Sequence, residues 1–346
     1  MKNRLVFALI LVLCLSFVIA GCTKKGGNKD GVVVTINGED ITTDEFNYYI
    51  LMAKNTVLSA GGEDTKDYWK TTEIEGKNAG EVVKETALKN AIELTITAQK
   101  AIKKGADHSD EVKAQQRQNF IKQGFSGNEK DYLARIKELG LKDEAVSKVV
   151  LKDYLTTKLY SMIDLDKPTD AQMREYYDKN YMRAKHILIA FSNYATKTSD
   201  GSQQALAKIK EVKAKLDSGE DFDKLLAEYN EDPEMKSNPD GYIFKSDVMP
   251  KQFEEATRSL KIGEVSDIVK SDYGYHIIKR FDPSGCYEDF LNKKSSAIQK
   301  ENSTGRDELT SFVQYSQIEK KVEEWKDQSK IEINENLLKS IELIKK

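Results

Sequence analysis

Histidine is scarce in this chain, three residues among 346, and two of the three stand where a side chain could do chemistry. His186 enters the run Met-Arg-Ala-Lys-His-Ile-Leu-Ile (Met182 to Ile189), and His276 enters Tyr-Gly-Tyr-His-Ile-Ile-Lys (Tyr273 to Lys279). Both runs are apolar and β-branched, so two imidazoles enter two strands. They are either satisfied core residues of a domain that only binds, or the polar members of a site. A zinc pair is excluded because no third ligand lies at metal-like spacing. The third histidine, His108, falls in the Gly105 to Asp110 break between helical stretches and reads as a surface residue. Cys14, Cys22 and Cys286 form no Cys-x-x-Cys pair and no disulfide scaffold, and Cys286 has no histidine near it in sequence to activate it.

The elements that must position these histidines can be read from periodicity. Ala184 to Ala190 is a buried strand and Ser192 to Ser202 a polar loop. Leu206, Ile209, Val212 and Leu216 share one helical face that ends at Ser218-Gly219. Phe222 to Tyr229 makes a second helix, Tyr242 to Phe244 a short strand, and Pro250 to Leu260 a third helix. Val265 to Val269 and Tyr275 to Phe281 are further strands. The order strand, two helices, strand, helix, two strands predicts a small mixed α+β domain.

Around this domain the chain is long enough for two or three cores. Its 39% hydrophobic and 32% charged composition is globular with a well-solvated surface, and a formal charge of −3 without a basic block excludes nucleic acid as a partner. Lys2 and Arg4 precede an uncharged apolar run, Leu5 to Ala20, with the features of an export signal. Its exit, Ile19-Ala20-Gly21-Cys22, resembles the bacterial lipobox, which implies a cleaved signal peptide over 1–21 and a lipid on the Cys22 thiol. Acyl methylenes contribute about 0.8 kcal/mol each in a membrane, so several chains make a stable anchor. The glycine-rich 22–31 segment then serves as a flexible tether. Val32 to Ile36 is β-prone ahead of an Asn37-Gly38 turn, and Thr42 and Glu45 form a capping box before a helix. Helical periodicity continues over Ala79 to Lys104 and Asp110 to Ile163, with a turn at Gly127-Asn128. It resumes from Thr169, and again beyond Pro283, where Lys330 to Ile333 adds a short strand.

With these motifs in order, the central stretch resembles a parvulin-type peptidyl-prolyl isomerase domain. The carrying segments are Arg183-Ala184-Lys185-His186-Ile187-Leu188, Gly219-Glu220-Asp221-Phe222, Met249 with Phe253, Leu260-Lys261-Ile262-Gly263-Glu264-Val265-Ser266 and Tyr273-Gly274-Tyr275-His276-Ile277-Ile278. The whole chain is similar to the PrsA-type extracytoplasmic foldase lipoproteins, relatives of the chaperone SurA. The resemblance implies an α+β fold in which a parvulin domain, a mixed four-stranded sheet with helices, is inserted into a mainly helical SurA-like chaperone module. The expected division is a signal peptide at 1–21, a tether at 22–31, the N-terminal chaperone module at 32–180 and the isomerase domain at 181–283. A C-terminal segment, 284–346, is expected to pack on the N-terminal module.

Carried over residue by residue, the resemblance makes His186, Asp232 and His276 the catalytic set, with the two histidines hydrogen-bonded to each other. Phe244, Met249 and Phe253 hold the proline ring, and Ser271 takes the hydroxyl position before the second histidine. Two positions depart from the family: Gly241 stands where an ungapped alignment puts a pocket leucine, and Pro250 where glutamine is common. The implied reaction needs no metal or cofactor, because rotation about an X-Pro bond opposes only amide resonance, a barrier of ~18–20 kcal/mol. A thousandfold acceleration then asks the site for about 4 kcal/mol. The expected protein is a lipid-anchored foldase on the outer face of a Gram-positive cell membrane. It acts on unfolded or newly secreted chains containing X-Pro bonds, as a monomer or a homodimer. The alternative is a non-catalytic holdase or scaffold lipoprotein that keeps the parvulin fold.

Overall fold

The computed structural model describes residues 31–74, 76–195, 200–246, 248–294 and 303–343. The expected signal peptide, Cys22 and the tether up to residue 30 lie outside the described residues. The chain divides into two compact units, Met1–Leu165 with Gln317–Lys346, and Asp166–Ser316.

The first unit opens with β1 (Val32–Ile36) and β2 (Glu39–Thr42), an antiparallel pair joined at Asn37-Gly38, both at positive φ. Thr42 caps α1 (Thr43–Ser59) by accepting from the Glu45 N–H. The Glu45 carboxylate instead turns into the core and meets Lys152 Nζ at 2.7 Å. After α2 (Lys66–Thr71) and the small pair β3 (Glu73–Ile74) and β4 (Lys77–Asn78) comes α3 (Ala79–Lys103), which lays Val83, Ala87, Ala91 and Ile96 into the core. The remaining helical region is α4 (Asp110–Phe125), α5 (Glu129–Glu138) and α6 (Asp143–Met162). The expected turn at Gly127-Asn128 is present, and Gly140, also at positive φ, adds a second break that periodicity did not signal.

In the second unit α7 (Asp170–Asn180) begins at the expected capping box of Thr169 and Gln172 and runs straight into β5 (Tyr181–Ala190). Then come α8 (Ser202–Asp217), α9 (Phe222–Tyr229), β6 (Tyr242–Lys245), α10 (Lys251–Ser259), β7 (Val269–Lys270), β8 (Gly274–Phe281) and α11 (Tyr287–Asn292). The helix α12 (Gly305–Asp327) begins in this unit. The four strands lie in the order β6-β5-β8-β7, and every pairing is antiparallel. That corrects the expectation of a mixed sheet: β6 and β8 flank β5 and both run against it, while β7 returns to β8 through the short Ser271-Asp272-Tyr273 turn. The strand expected over 265–269 shrinks to β7, with Val265 making one isolated bridge to Lys279.

Within α12, at Gln317, the chain re-enters the first unit. β9 (Ile331–Ile333) pairs antiparallel with β1 to complete the sheet β2-β1-β9, and α13 (Glu335–Ser340) buries Leu338 in the same core. The contact boundaries differ from those expected at 180/181 and 283/284. The reason is aromatic: Tyr177 of α7 stacks on Tyr181 at 4.9 Å and meets Phe290 of α11 at 5.1 Å. Met173, Tyr287, Leu291, Leu309 and Val313 complete that cluster. Residues 166–180, 284–294 and 303–316 therefore pack with the sheet of the second unit, and among the described residues only the part of the C-terminal segment from Gln317 packs with the first.

Candidate active site

The register of β5 on β8 brings the two histidines together. His186 stands opposite Ile278 and Leu188 opposite His276, so the imidazoles are diagonal neighbours on one face of the sheet. Their Nδ1 atoms are 3.0 Å apart and their rings nearly parallel, 13° between planes. The alternate residues Ile187, Ile189 and Ile277 point the other way and are covered by Ala205, Ile209 and Val212 of α8 and Phe222 and Leu225 of α9. Strand periodicity thus gives one face to packing and the other to the histidines.

Asp232 reaches the pair because the edge of β5 is only half covered. β6 pairs with β5 no further than Ala184. Beyond it the Leu188 N–H donates to Asn230 Oδ1 at 2.9 Å, the Glu231 N–H donates to the Leu188 carbonyl at 2.9 Å, and the Ala190 N–H donates to Glu231 Oε2 at 2.8 Å. The loop takes the place of a strand, and unpaired edge groups are satisfied. Asn193 and Lys208 also donate to the Glu231 carboxylate, as does the Tyr194 hydroxyl. Burial opposes its ionisation, but these donors hold the Glu231 carboxyl below the usual range.

So fixed, Asp232 Oδ2 lies 2.7 Å from His186 Nε2. The Tyr242 hydroxyl donates to the same oxygen at 2.7 Å, and the Glu234 N–H donates to Oδ1 at 3.0 Å. Burial would raise this carboxyl, yet the hydrogen bonds from His186 and Tyr242 outweigh it and bring it down to about 2. At the other end Ser271 Oγ lies 2.7 Å from His276 Nε2 and accepts from the Tyr273 N–H at 3.1 Å. Burial, then the neighbouring His186, lowers His276 from 6.5 to about 3 against the pull of Asp232, so it is neutral at physiological pH.

With both imidazoles uncharged, the geometry admits one fully satisfied arrangement of donors. An ionised Asp232 only accepts, so His186 Nε2–H donates to it and His186 Nδ1 accepts from His276 Nδ1–H. His276 Nε2 is then the acceptor for the Ser271 hydroxyl. The result is a directed line, Ser271 to His276 to His186 to Asp232, buried except at the carboxylate, whose side chain is 14% exposed.

The apolar wall comes from α10 and β6. Phe253 presents its ring at right angles to His186, 5.2 Å away, and stands 5.6 Å from His276 at 76°. Phe244, only 2% exposed, packs behind Phe253 at 5.8 Å. Met249 is partly buried against the same cluster. Its backbone is held by Glu254, whose Oε1 accepts from both the Val248 and Met249 N–H groups at 2.8 Å. Pro250 occupies the residue before α10, where no intrahelical donor is needed.

All seven residues expected of this site therefore lie in one neighbourhood of the second unit. His108 is exposed and belongs to the first unit. Tyr242, Asn230, Glu231 and Glu254 were not anticipated. Their only sequence signals are the polar Asn-Glu-Asp run before Pro233 and a glutamate four residues after Pro250. The departure at Gly241 has a backbone cause: its φ is +92°, and an added Cβ would stand 2.7 Å from the Ala184 carbonyl oxygen.

Comparison with known proteins agrees with this geometry. Residues 186–282 match the rotamase family, the PPIC-type PPIase domain, and residues 1–160 match the SurA-like N-terminal domain. The class is thus a peptidyl-prolyl isomerase built together with a SurA-like chaperone domain. The Foldase protein PrsA of Caldanaerobacter subterraneus subsp. tengcongensis is 33% identical over 316 residues, 87% of this chain and 92% of the relative. That of Geobacillus kaustophilus is 45% identical over 140 residues, 40% of this chain and 44% of its own. That of Clostridium tetani is 28% identical over 341 residues, 94% of each. The chain belongs to the PrsA foldase family: it is a parvulin-type isomerase and foldase whose substrates are unfolded polypeptides.

Proposed function

We propose that this foldase works at the outer face of a Gram-positive cell membrane, tethered by a lipid on Cys22, and isomerises X-Pro bonds of newly secreted chains through His186, Asp232 and His276. The observation that carries the reading is the unbroken hydrogen-bonded line from Ser271 through both histidines to Asp232, running beneath the Phe253 ring. Phe253 and Met249, with Phe244 behind, hold the proline ring while the preceding carbonyl swings. Ser271 fixes the outer nitrogen of His276. As the amide twists it loses resonance, and the oriented imidazoles and the ionised carboxylate meet the altered charge without having to reorganise. No covalent step is involved. A contribution of about 4 kcal/mol at the twisted amide gives a thousandfold acceleration.

The test is exchange NMR on X-Pro peptides with the full chain. His186→Ala and Asp232→Ala should each lower catalysed exchange at least tenfold while suppression of client aggregation persists. Wild-type exchange in both variants would overturn the catalytic assignment. Aggregation suppression by a wild-type chain with no isomerase signal would establish the non-catalytic holdase instead. A homodimer is compatible with this reading, and light scattering of the purified chain decides it.

A further inference from the structure

Because Gly241 sits at φ +92° against the Ala184 carbonyl, it cannot carry a side chain into the pocket. The next residue, Tyr242, opens β6 opposite Ala184 on the histidine face. Its ring lies 5.7 Å from His186 at 66° and packs in the cluster that holds Phe253 and Met249. Its hydroxyl shares Asp232 Oδ2 with His186 Nε2, both at 2.7 Å.

The geometry points to Tyr242 as a positioning residue for the isomerisation: its hydroxyl holds Asp232 as a shared acceptor, which keeps the imidazole line neutral and directed, and its ring supplies the pocket wall on the β6 side. The inference rests on the reading that Asp232 and the two histidines are the catalytic set. Two donors compete for one carboxylate oxygen, so the hydrogen bond from Tyr242 withdraws acceptor strength that would otherwise favour a proton on the imidazole pair. The ionisable groups facing Asp232 are His186 from β5, Tyr242 from β6 and Glu234 on its own turn, with His276 from β8 behind His186. From α10 the site receives the uncharged Phe253 ring. Burial and then Asp232 raise the Tyr242 hydroxyl well above its ordinary range, so it remains a donor throughout the working pH.

Tyr242→Phe keeps the ring and removes the donor. With the full chain, KM for an X-Pro peptide should stay within about twofold while kcat falls about threefold to tenfold. The pH at which the imidazole pair takes up its first proton should rise by about one unit, and the acid limb of kcat with it. Tyr242→Leu, which also removes the ring edge, should raise KM several-fold in addition. Imidazole nitrogen shifts of the wild-type chain provide a check that needs no variant: at pH 7.5 the protons should sit on His186 Nε2 and His276 Nδ1. The opposite His276 tautomer in the wild type, or a Tyr242→Phe chain with unchanged kcat and pH profile, overturns the inference. His186→Ala measured in parallel separates the two levels. Loss of activity there with a silent Tyr242→Phe removes only the role of Tyr242, whereas full activity in His186→Ala removes the catalytic set itself.

Discussion

Gly241→Leu would install the side chain common at this position in parvulins, and the structure says it should damage the enzyme. A side chain at φ +92° occupies backbone space that costs about 1–3 kcal/mol for a non-glycine residue. The added Cβ would also stand 2.7 Å from the Ala184 carbonyl oxygen, 3.0 Å from its carbon and 3.1 Å from Lys185 Cγ. Ala184 is fully buried and paired with Tyr242, so the clash cannot be relieved without moving β5 against β6, an overpacking cost of about another 1–3 kcal/mol. Together the substitution should destabilise the second unit by roughly 2–6 kcal/mol. The chain's two tryptophans, Trp69 and Trp325, both belong to the first unit. Their fluorescence is therefore the wrong probe. Amide hydrogen exchange read by mass spectrometry on peptides covering 181–190 and 241–245 should show lost protection, with isomerase activity falling in step. Native protection together with higher isomerase activity in Gly241→Leu would refute the reasoning and show that the position had merely lost a pocket residue.

Three further outcomes follow from charges and termini. His276 and Asp232 both bind fewer protons folded than unfolded, at about 3 against 6.5 and about 2 against 3.8. Stability is therefore complete above about pH 6.5, falls as His276 resists protonation down to pH 3, and falls further below about pH 4 as Asp232 does the same. The thermal midpoint of the second unit should drop between pH 7 and 4, with a flatter slope in His276→Gln. Lys152 meets Glu45 at 2.7 Å and Glu39 at 2.8 Å, and its side chain is 9% exposed. Lys152→Met leaves a buried carboxylate uncompensated, so urea unfolding followed by tryptophan fluorescence should show a loss of about 3–5 kcal/mol. Cys22→Ala should move the protein from the detergent phase to the aqueous phase or leave it unprocessed, and unchanged partitioning would sink the lipid tether.

How legible the molecule was depended on the range over which each signal acts. Alternation over β5 and β8 and turn chemistry at Asn37-Gly38 are local, and they marked the strands and the histidine face directly. Asp232 lies on a loop whose position depends on Leu188 and Ala190, more than forty residues away, so only the family resemblance singled it out. Tyr242 was hidden for a similar reason. An ungapped comparison reads Gly241 as a missing wall, while the fold turns the backbone there and hands the wall to the next residue. The aromatic cluster of Tyr177, Tyr181, Tyr287 and Phe290 joins segments about a hundred residues apart, and nothing in helical periodicity says which helices it will join. The all-antiparallel sheet likewise depends on which edge each strand takes, which element order alone does not fix.

The pairing of β9 with β1 imposes an order of events on a chain that leaves the ribosome or a translocation channel amino end first. The second unit is one uninterrupted stretch, Asp166–Ser316, and can close as soon as it has emerged. The first unit must wait, because Ile331, Ile333 and Leu338 complete a core whose other strands and helices were delivered at the start. Contacts spanning nearly the whole chain carry the greatest loop-closure cost and form last. An already folded second unit shortens that loop by tying its own ends. The isomerase unit would thus be assembled before the unit that encloses it in sequence, and a chain cut short before Lys330 should display a folded isomerase unit beside an open first core.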